Sequence, residues 1–312
     1  MHTERSERLP FDLRPQDVVL TLTATLCAAI LLFDGRHVPG WGEATLAFVL
    51  VALMPWFFRA ARARWPNEIT RALATFIPPS MGPLLIYGNL DPLCDLLNPH
   101  LADARLAAVD LRLFGVHPGL WLERRLPPHI VDVLSLCYTS YYVWPVTIGV
   151  ILFLGRERLE REFDRYILGY LLVMLISYVC YLLVPAIGPR FYLVDELGAP
   201  LHATWLGREI VGMFRGSPYF RDCFPSGHTG LTVFCLYSAW RLARRWFWVI
   251  LLPCTGLIAS TLVCRFHYAI DVICGPLTAV AAILIADALY QRMPSLELSR
   301  ERLAMAFSRL AR

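Results

Sequence analysis

The chain has 312 residues, 57% of them hydrophobic and only 17% charged. A soluble domain carries roughly 25% charged residues, so a water-soluble globular protein is excluded. The net charge of +4 is built from 29 arginines without a single lysine, which excludes Schiff-base and P-loop lysine chemistry.

Apolar residues fall in eight runs that are predicted to be membrane-spanning helices: 18–33, 44–58, 72–87, 130–154, 166–185, 226–240, 246–264 and 267–290. A helix of about 20 apolar residues crosses a bilayer. No arginine lies inside a run. The arginine-dense connections alternate with dilute ones: 1–17, 59–71, 155–165, 241–245 and 291–312 hold 19 of the 29. Short arginine-rich loops stay in the cytoplasm. Both termini are therefore expected inside, and the long loops 88–129 and 186–225 outside, in a multi-pass protein of the cell (plasma or inner) membrane. That distribution also argues against nucleic acid as a partner.

The first run is read as a retained helix, since no small-residue cleavage site follows Phe33. In 72–87, Pro78, Pro79 and Pro83 predict a bent helix or a re-entrant segment. Segment 88–129 mixes Leu106, Leu111, Leu113 and Phe114 with Asp103, Arg105, Asp110 and Arg112, as in a helix lying along the outer interface. Asp132 and Asp287, near span ends, are expected to reach water. Leu303, Phe307 and Leu310 share one face of a predicted cytoplasmic surface helix. The organisation expected is a two-helix extension (1–71), a membrane core (72–291) and an amphipathic tail (292–312). Nine cysteines, odd in number and mostly in apolar runs, behave as small hydrophobes rather than as a disulfide framework.

An ionisable group inside a span costs about 2.5–3.5 kcal/mol on insertion scales and by default marks function. Asp271 is such a group, four residues after His267, which places the two on one helix face. There the carboxylate is expected to accept the imidazole N–H, fixing the tautomer and leaving the other nitrogen's lone pair free. A purely structural pair is the alternative. Asp222-Cys223-Phe224-Pro225-Ser226-Gly227-His228-Thr229 precedes the sixth run. A helix start of this kind presents unpaired N–H groups to an anion such as phosphate. Gly227 allows close approach, Ser226 adds a hydroxyl and His228 a group able to move a proton near neutral pH; an ordinary helix cap is the alternative. By topology both histidines, and Arg190 in Gly188-Pro189-Arg190-Phe191, belong to the same outer face. Arg190 is a candidate phosphate clamp, as is Arg265 two residues before His267. For each, a solvated loop charge is the alternative.

These segments, in this order, resemble the type 2 phosphatidic acid phosphatase (PAP2) superfamily, whose pattern is Lys-x6-Arg-Pro, Pro-Ser-Gly-His and Ser-Arg-x5-His-x3-Asp. The second element stands intact as Pro225-Ser226-Gly227-His228. The third keeps His267 and Asp271 but has Ser260-Thr261 in place of Ser-Arg. In the first, Leu183 takes the lysine position and the proline precedes Arg190. Asp222-x3-Ser226-Gly227-His228-Thr229 and His267-Tyr268-x2-Asp271-Val272 are similar to motifs of the sphingomyelin synthases and inositol phosphorylceramide synthases. The stretch Asp110 to Pro118 also looks like a segment of the latter's bacterial relatives.

The resemblance implies an all-α integral membrane protein with a six-helix catalytic core, about eight transmembrane helices in all. It further implies His267 as a nucleophile forming phosphohistidine, Asp271 as its orienting partner, and His228 as the general acid and base. Arg190, Ser226, Gly227 and Arg265 would stabilise the phosphoryl oxygens, with no metal or cofactor needed. The substrate implied is a membrane lipid, with water or an alcohol as acceptor. Three other classes compete: a zinc site drawn from Cys223-x4-His228 and Cys264-x2-His267, a transporter, and a haem protein with paired histidines. The remaining histidines, His37, His100, His117, His129 and His202, are read as surface groups. Tyr138, Tyr141 and Tyr142 are read as packing or interfacial residues, with a lipid groove as the alternative.

Overall fold

A computed structural model describes residues 14–197, 200–214 and 221–310, with side chains described except at 156–160, 197 and 292–310. Every regular element among the described residues is helical. In chain order these are α1 (Pro15–Asp34), α2 (Trp41–Arg64), α3 (Glu68–Tyr87), α4 (Asp91–Leu97), α5 (Asp103–Phe114), α6 (Pro118–Glu123), α7 (Pro128–Thr139) and α8 (Val143–Leu154). They continue as α9 (Arg156–Leu183), α10 (Pro189–Tyr192), α11 (Val194–Leu197), α12 (Trp205–Met213), α13 (Gly227–Leu242), α14 (Arg244–Val263) and α15 (Ala269–Leu310).

Six stretches are long and apolar enough to cross a membrane: Pro15–His37, Trp41–Arg64, Pro128–Leu154, Arg161–Leu183, Arg244–Val263 and Ala269–Gln291. The protein is an all-α integral membrane protein. The other two predicted spans are helices of a different kind. α13 has 16 residues, about 24 Å at 1.5 Å per residue, and packs against α8, α9, α14 and α15. It is the short central helix of the bundle. α3 is one continuous helix through Pro78, Pro79 and Pro83, in place of the re-entrant segment that was one of the two expected forms. Prolines are tolerated in a membrane helix where neighbouring helices surround the freed backbone groups, and α3 lies against α1, α2 and α9. The fourth span is divided instead, by a 3-10 turn at Ser140–Tyr142 between α7 and α8.

α1 and α2 share one apolar core with the rest of the bundle, in which Leu20, Leu31 and Phe48 belong with Leu168, Leu231 and Ala282. Ion pairs close the end of the bundle remote from the histidines. Asp17 on α1 meets Arg59 on α2 at 2.7 Å, Arg14 pairs with Asp164, and Arg165 on α9 pairs with Asp287 on α15. Arginines kept out of the apolar runs thus become fasteners between helix ends. Leu303, Phe307 and Leu310 lie outside the residues whose side chains are described.

The segment between α3 and α7 folds into three short helices, and α5 buries an unexpected face. Asp103, Leu106, Ala107 and Asp110 face inward, while Leu111, Leu113 and Phe114 are exposed. The two acids point inward because backbone N–H groups wait for them there, as the site shows. Asp132 also departs from expectation. It is buried, and accepts hydrogen bonds from Thr204 N (3.0 Å), Thr204 Oγ1 (2.6 Å) and Gly207 N (3.1 Å). Instead of reaching water, it satisfies the orphan donors at the start of α12.

Candidate active site

The three sequence segments meet at one end of the bundle, and backbone hydrogen bonds join them pairwise. Cys223 N donates to Ala186 O (3.1 Å), Arg190 N to Arg265 O (3.0 Å) and Ser226 N to Asp271 O (3.0 Å). Glycines make this closeness possible. A Cβ on Gly275 would stand 2.7 Å from Ser226 O, and one on Gly188 would stand 2.7 Å from Phe266 O. Gly188 also has φ +85°, a conformation that favours glycine. Small residues at such crossings let membrane helices approach closely, which here brings the start of α13 against the start of α15.

His228, on α13, and His267, just before α15, consequently face each other. His267 Nε2 lies 3.4 Å from His228 Nδ1. The far nitrogen of His267, Nδ1, is 2.8 Å from the carbonyl oxygen of Cys223 and 3.6 Å from Asp271 Oδ2. The expected His267–Asp271 hydrogen bond is thus supplanted by one to the backbone. The reason is local: Asp271 Oδ2 already accepts from the Cys223 thiol (2.8 Å) and from Tyr268 N (2.8 Å). The tautomer is nonetheless fixed, because a carbonyl oxygen can only accept. Nδ1 carries the proton, and the Nε2 lone pair faces His228.

His228 is gripped by aromatic rings. Tyr138 stacks on it with centroids 4.8 Å apart, and Tyr141 lies tilted at 4.2 Å. The stack continues from Tyr138 to Phe266 (4.2 Å, 9° between planes) and on to the Arg190 guanidinium, 4.8 Å from the Phe266 centroid. Arg190 donates to Phe214 O at 2.6 Å. A cavity of about 40 Å³ opens beside His228, lined in part by Tyr141, Tyr142, Tyr178, Asp222 and Gly227.

Ser226 is fully buried as the N-cap of α13, its Oγ accepting from Thr229 N at 3.3 Å and lying 3.1 Å from Thr229 Oγ1. Arg265 is engaged by Glu123, with Nε and one terminal nitrogen at 2.5 and 2.6 Å from its carboxylate. Glu123 is 0% exposed and also accepts from His202 N at 2.7 Å. The zinc pairings considered from sequence are not what the fold gathers. The Cys264 thiol lies 3.4 Å from Ser135 Oγ, and the cluster with metal-ligand character among the described residues is Cys223, His267 and Asp271.

A family model described as the PAP2 superfamily matches residues 104–285, more than half of the chain. The protein belongs to the PAP2 superfamily. Membership implies phosphatase or phosphotransferase activity on lipid-like substrates. No curated protein and no solved structure matches the chain.

Around this PAP2 site stand supports whose role the sequence did not reveal. Asp103 accepts from Ile187 N (3.0 Å), Gly188 N (2.9 Å) and Tyr268 Oη (3.0 Å). Asp110 accepts from Ala269 N (2.8 Å) and Ile270 N (3.0 Å), the first N–H groups of α15. One short helix therefore holds both the Gly188 loop and the helix that carries Asp271. Burial pushes both carboxyls above the ordinary carboxylate range, against the opposing pull of the N–H donors. Burial, followed by the Asp271 charge, pushes the Cys223 thiol well up. The spacing of seven residues between Asp103 and Asp110, two turns on one face, was the available signal.

Proposed function

We propose that this PAP2 protein is a membrane lipid phosphotransferase of the kind the sphingomyelin and inositol phosphorylceramide synthase motifs suggest, moving a phospho-head-group through a phosphohistidine. The observation that carries this reading is the 3.4 Å approach of His267 Nε2 to His228 Nδ1, with the other His267 nitrogen held by a carbonyl oxygen. In the first step the Nε2 lone pair attacks phosphorus. An N–P bond forms, the ester P–O bond breaks, and His228 gives a proton to the departing alkoxide. In the second step the acceptor hydroxyl yields its proton to His228, its oxygen attacks phosphorus, and the N–P bond breaks. Splitting one displacement into two lowers each barrier, and a positioned acid–base group typically contributes about 10²–10⁴-fold.

The start of α13, with Gly227, and the Arg190 charge are suited to stabilising the phosphoryl oxygens, the electrostatic contribution that usually dominates. Ser226 acts there through its cap and Arg265 through the loop it fastens. The arginine distribution supports termini in the cytoplasm and a site on the extracytoplasmic face of the cell membrane. No cofactor enters the scheme.

Incubating purified protein with candidate phospholipid donors, with and without alcohol acceptors, tests the reading. A new phospholipid together with diacylglycerol is the expected result. Free phosphate from a monoester donor, or a free phospho-head-group from a diester, would replace transfer by hydrolysis through the same three residues. No turnover of any lipid phosphate in detergent would overturn both.

A further inference from the structure

The bond from the Cys223 thiol to Asp271 has no part in the phosphoryl-transfer steps, yet it completes a compact set of ligand atoms. Cys223 Sγ lies 2.8 Å from Asp271 Oδ2 and 3.7 Å from His267 Nδ1, and the last two are 3.6 Å apart. All three residues are buried. A tetrahedral zinc ion, with bonds of about 2.3 Å to sulfur and about 2.0–2.2 Å to nitrogen and oxygen, sets such atoms about 3.3–3.6 Å apart. Two adjustments make room for the ion: the sulfur–oxygen distance opens from 2.8 Å, and the Cys223 carbonyl oxygen, which now accepts from His267 Nδ1 at 2.8 Å, turns aside. A second observation points the same way: Asp271 Oδ1 is buried without a hydrogen-bond partner, so the carboxylate has acceptor capacity to spare. Mixed sulfur, nitrogen and oxygen donors suit Zn²⁺ rather than Mg²⁺ or Ca²⁺.

We propose that Cys223, His267 and Asp271 form an inhibitory site for a thiophilic divalent cation of the Zn²⁺ class. The inference rests on the reading of His267 Nε2 as the nucleophile. Coordination at Nδ1 needs the lone pair of that nitrogen, so the ring proton moves to Nε2. Protonated there, the imidazole has no electron pair to offer phosphorus. The thiol gives up its proton to solvent, and the ring stays neutral. One proton is released per ion bound, thiolate and carboxylate balance the two positive charges, and nothing is oxidised or reduced. A chelator reverses the arrest.

Cobalt(II) is the probe, because its thiolate complexes absorb by sulfur-to-metal charge transfer. Titrating the purified full chain in detergent should give such a band saturating at one ion per chain and displaced by Zn²⁺. The band should be absent from Cys223→Ser and Cys223→Ala and persist in Cys264→Ser. Zn²⁺ should stop turnover of a lipid phosphate, and chelation should restore it. The zinc needed for half-inhibition should rise by about tenfold or more in Cys223→Ser, as expected on losing a ligand. Absence of the band in the wild type, its survival in both Cys223 variants, or full turnover with metal bound would each overturn the proposal. Should the wild type turn over no lipid phosphate, the phosphotransfer reading falls, and the cobalt titration still decides the metal site. Should neither Cys223 variant fold, the wild-type and Cys264→Ser spectra decide it.

Discussion

His267 and Asp271 stand 3.6 Å apart, and the carbonyl oxygen of Cys223 comes between them in effect, at 2.8 Å from the same ring nitrogen. The proton on Nδ1 is therefore held without the carboxylate. His267→Ala is expected to abolish activity. Asp271→Asn should leave a measurable enzyme, because the backbone still selects the tautomer. A histidine whose tautomer depends on its acid loses about 10⁴-fold on the corresponding change, and a smaller fall is expected here. Comparing kcat for the two variants decides the matter; equal losses would return the orienting role to Asp271.

His228 differs from His267 in what its loss does. With Tyr138 and Tyr141 against its ring, it is positioned as a proton carrier. His228→Ala should lower kcat by about 10²–10⁴-fold and leave the second step starved of a base. Acid-labile phosphate on the protein should then accumulate from a labelled donor. An unchanged rate would remove the acid–base role.

The segments that meet at the candidate site were legible in the sequence because each sets a residue type that lipid does not tolerate in or beside an apolar run. Asp271 in an apolar run and Pro225-Ser226-Gly227-His228 at a helix start needed only spacing and burial rules. The supports were not legible. Asp103 and Asp110 lie in a segment whose leucines and arginines alternate with them, so periodicity alone could not tell which face turns inward. That choice depends on the N–H groups of residues more than 80 positions away. The burial of Glu123 against Arg265 is likewise a product of the tertiary fold, and the Tyr138 stack depends on α7 meeting α14 and the loop after it. Hydropathy did place the six long spans. It described α3 and α13 less well, since their environment is other helices.

Asp110 offers a direct test of the support. Its carboxylate, 2% exposed, takes the N–H groups of Ala269 and Ile270. Asp110→Ala should cost about 0.5–2 kcal/mol, the range for a lost helix cap, and lower kcat by shifting the start of α15. Asp110→Asn keeps one acceptor oxygen and should recover part of both. Leu113→Ala, on the exposed face of α5 at 60% exposure, should change neither. Thermal midpoints and kcat measured on the same samples check this. Full activity in Asp110→Ala would deny the support any part in the site.

Asp91, at the start of α4, supplies a pH dependence with a defined sign. Burial pushes its carboxyl up to about 6, with Arg221 opposing and Asp95 and Asp222 adding to the rise. The unfolded value is about 3.9. Between roughly pH 4 and pH 6 the folded chain binds more protons, so this group's contribution to stability is complete below the window and lost as pH rises through it. Asp91→Asn cannot ionise. Its thermal midpoint, measured against wild type in detergent, should gain on wild type from pH 4 to pH 6 and run parallel above that. A constant difference across the range would refute the shift.

Arg265 and Glu123 test whether an arginine beside the site serves the fold or the substrate. The carboxylate is wholly buried and holds the guanidinium through two contacts while also taking His202 N. Removing one partner of a buried pair strands the other, at about 3–5 kcal/mol. Glu123→Ala and Arg265→Ala should each destabilise on that scale. The double variant should lose less than the sum, since neither charge is then left alone. If the pair only fastens the loop before His267, both single variants raise KM to a similar degree. A KM that rises for Arg265→Ala and stays put for Glu123→Ala would instead put Arg265 on the phosphate. Denaturation midpoints and steady-state kinetics on the four proteins of the cycle distinguish the two outcomes.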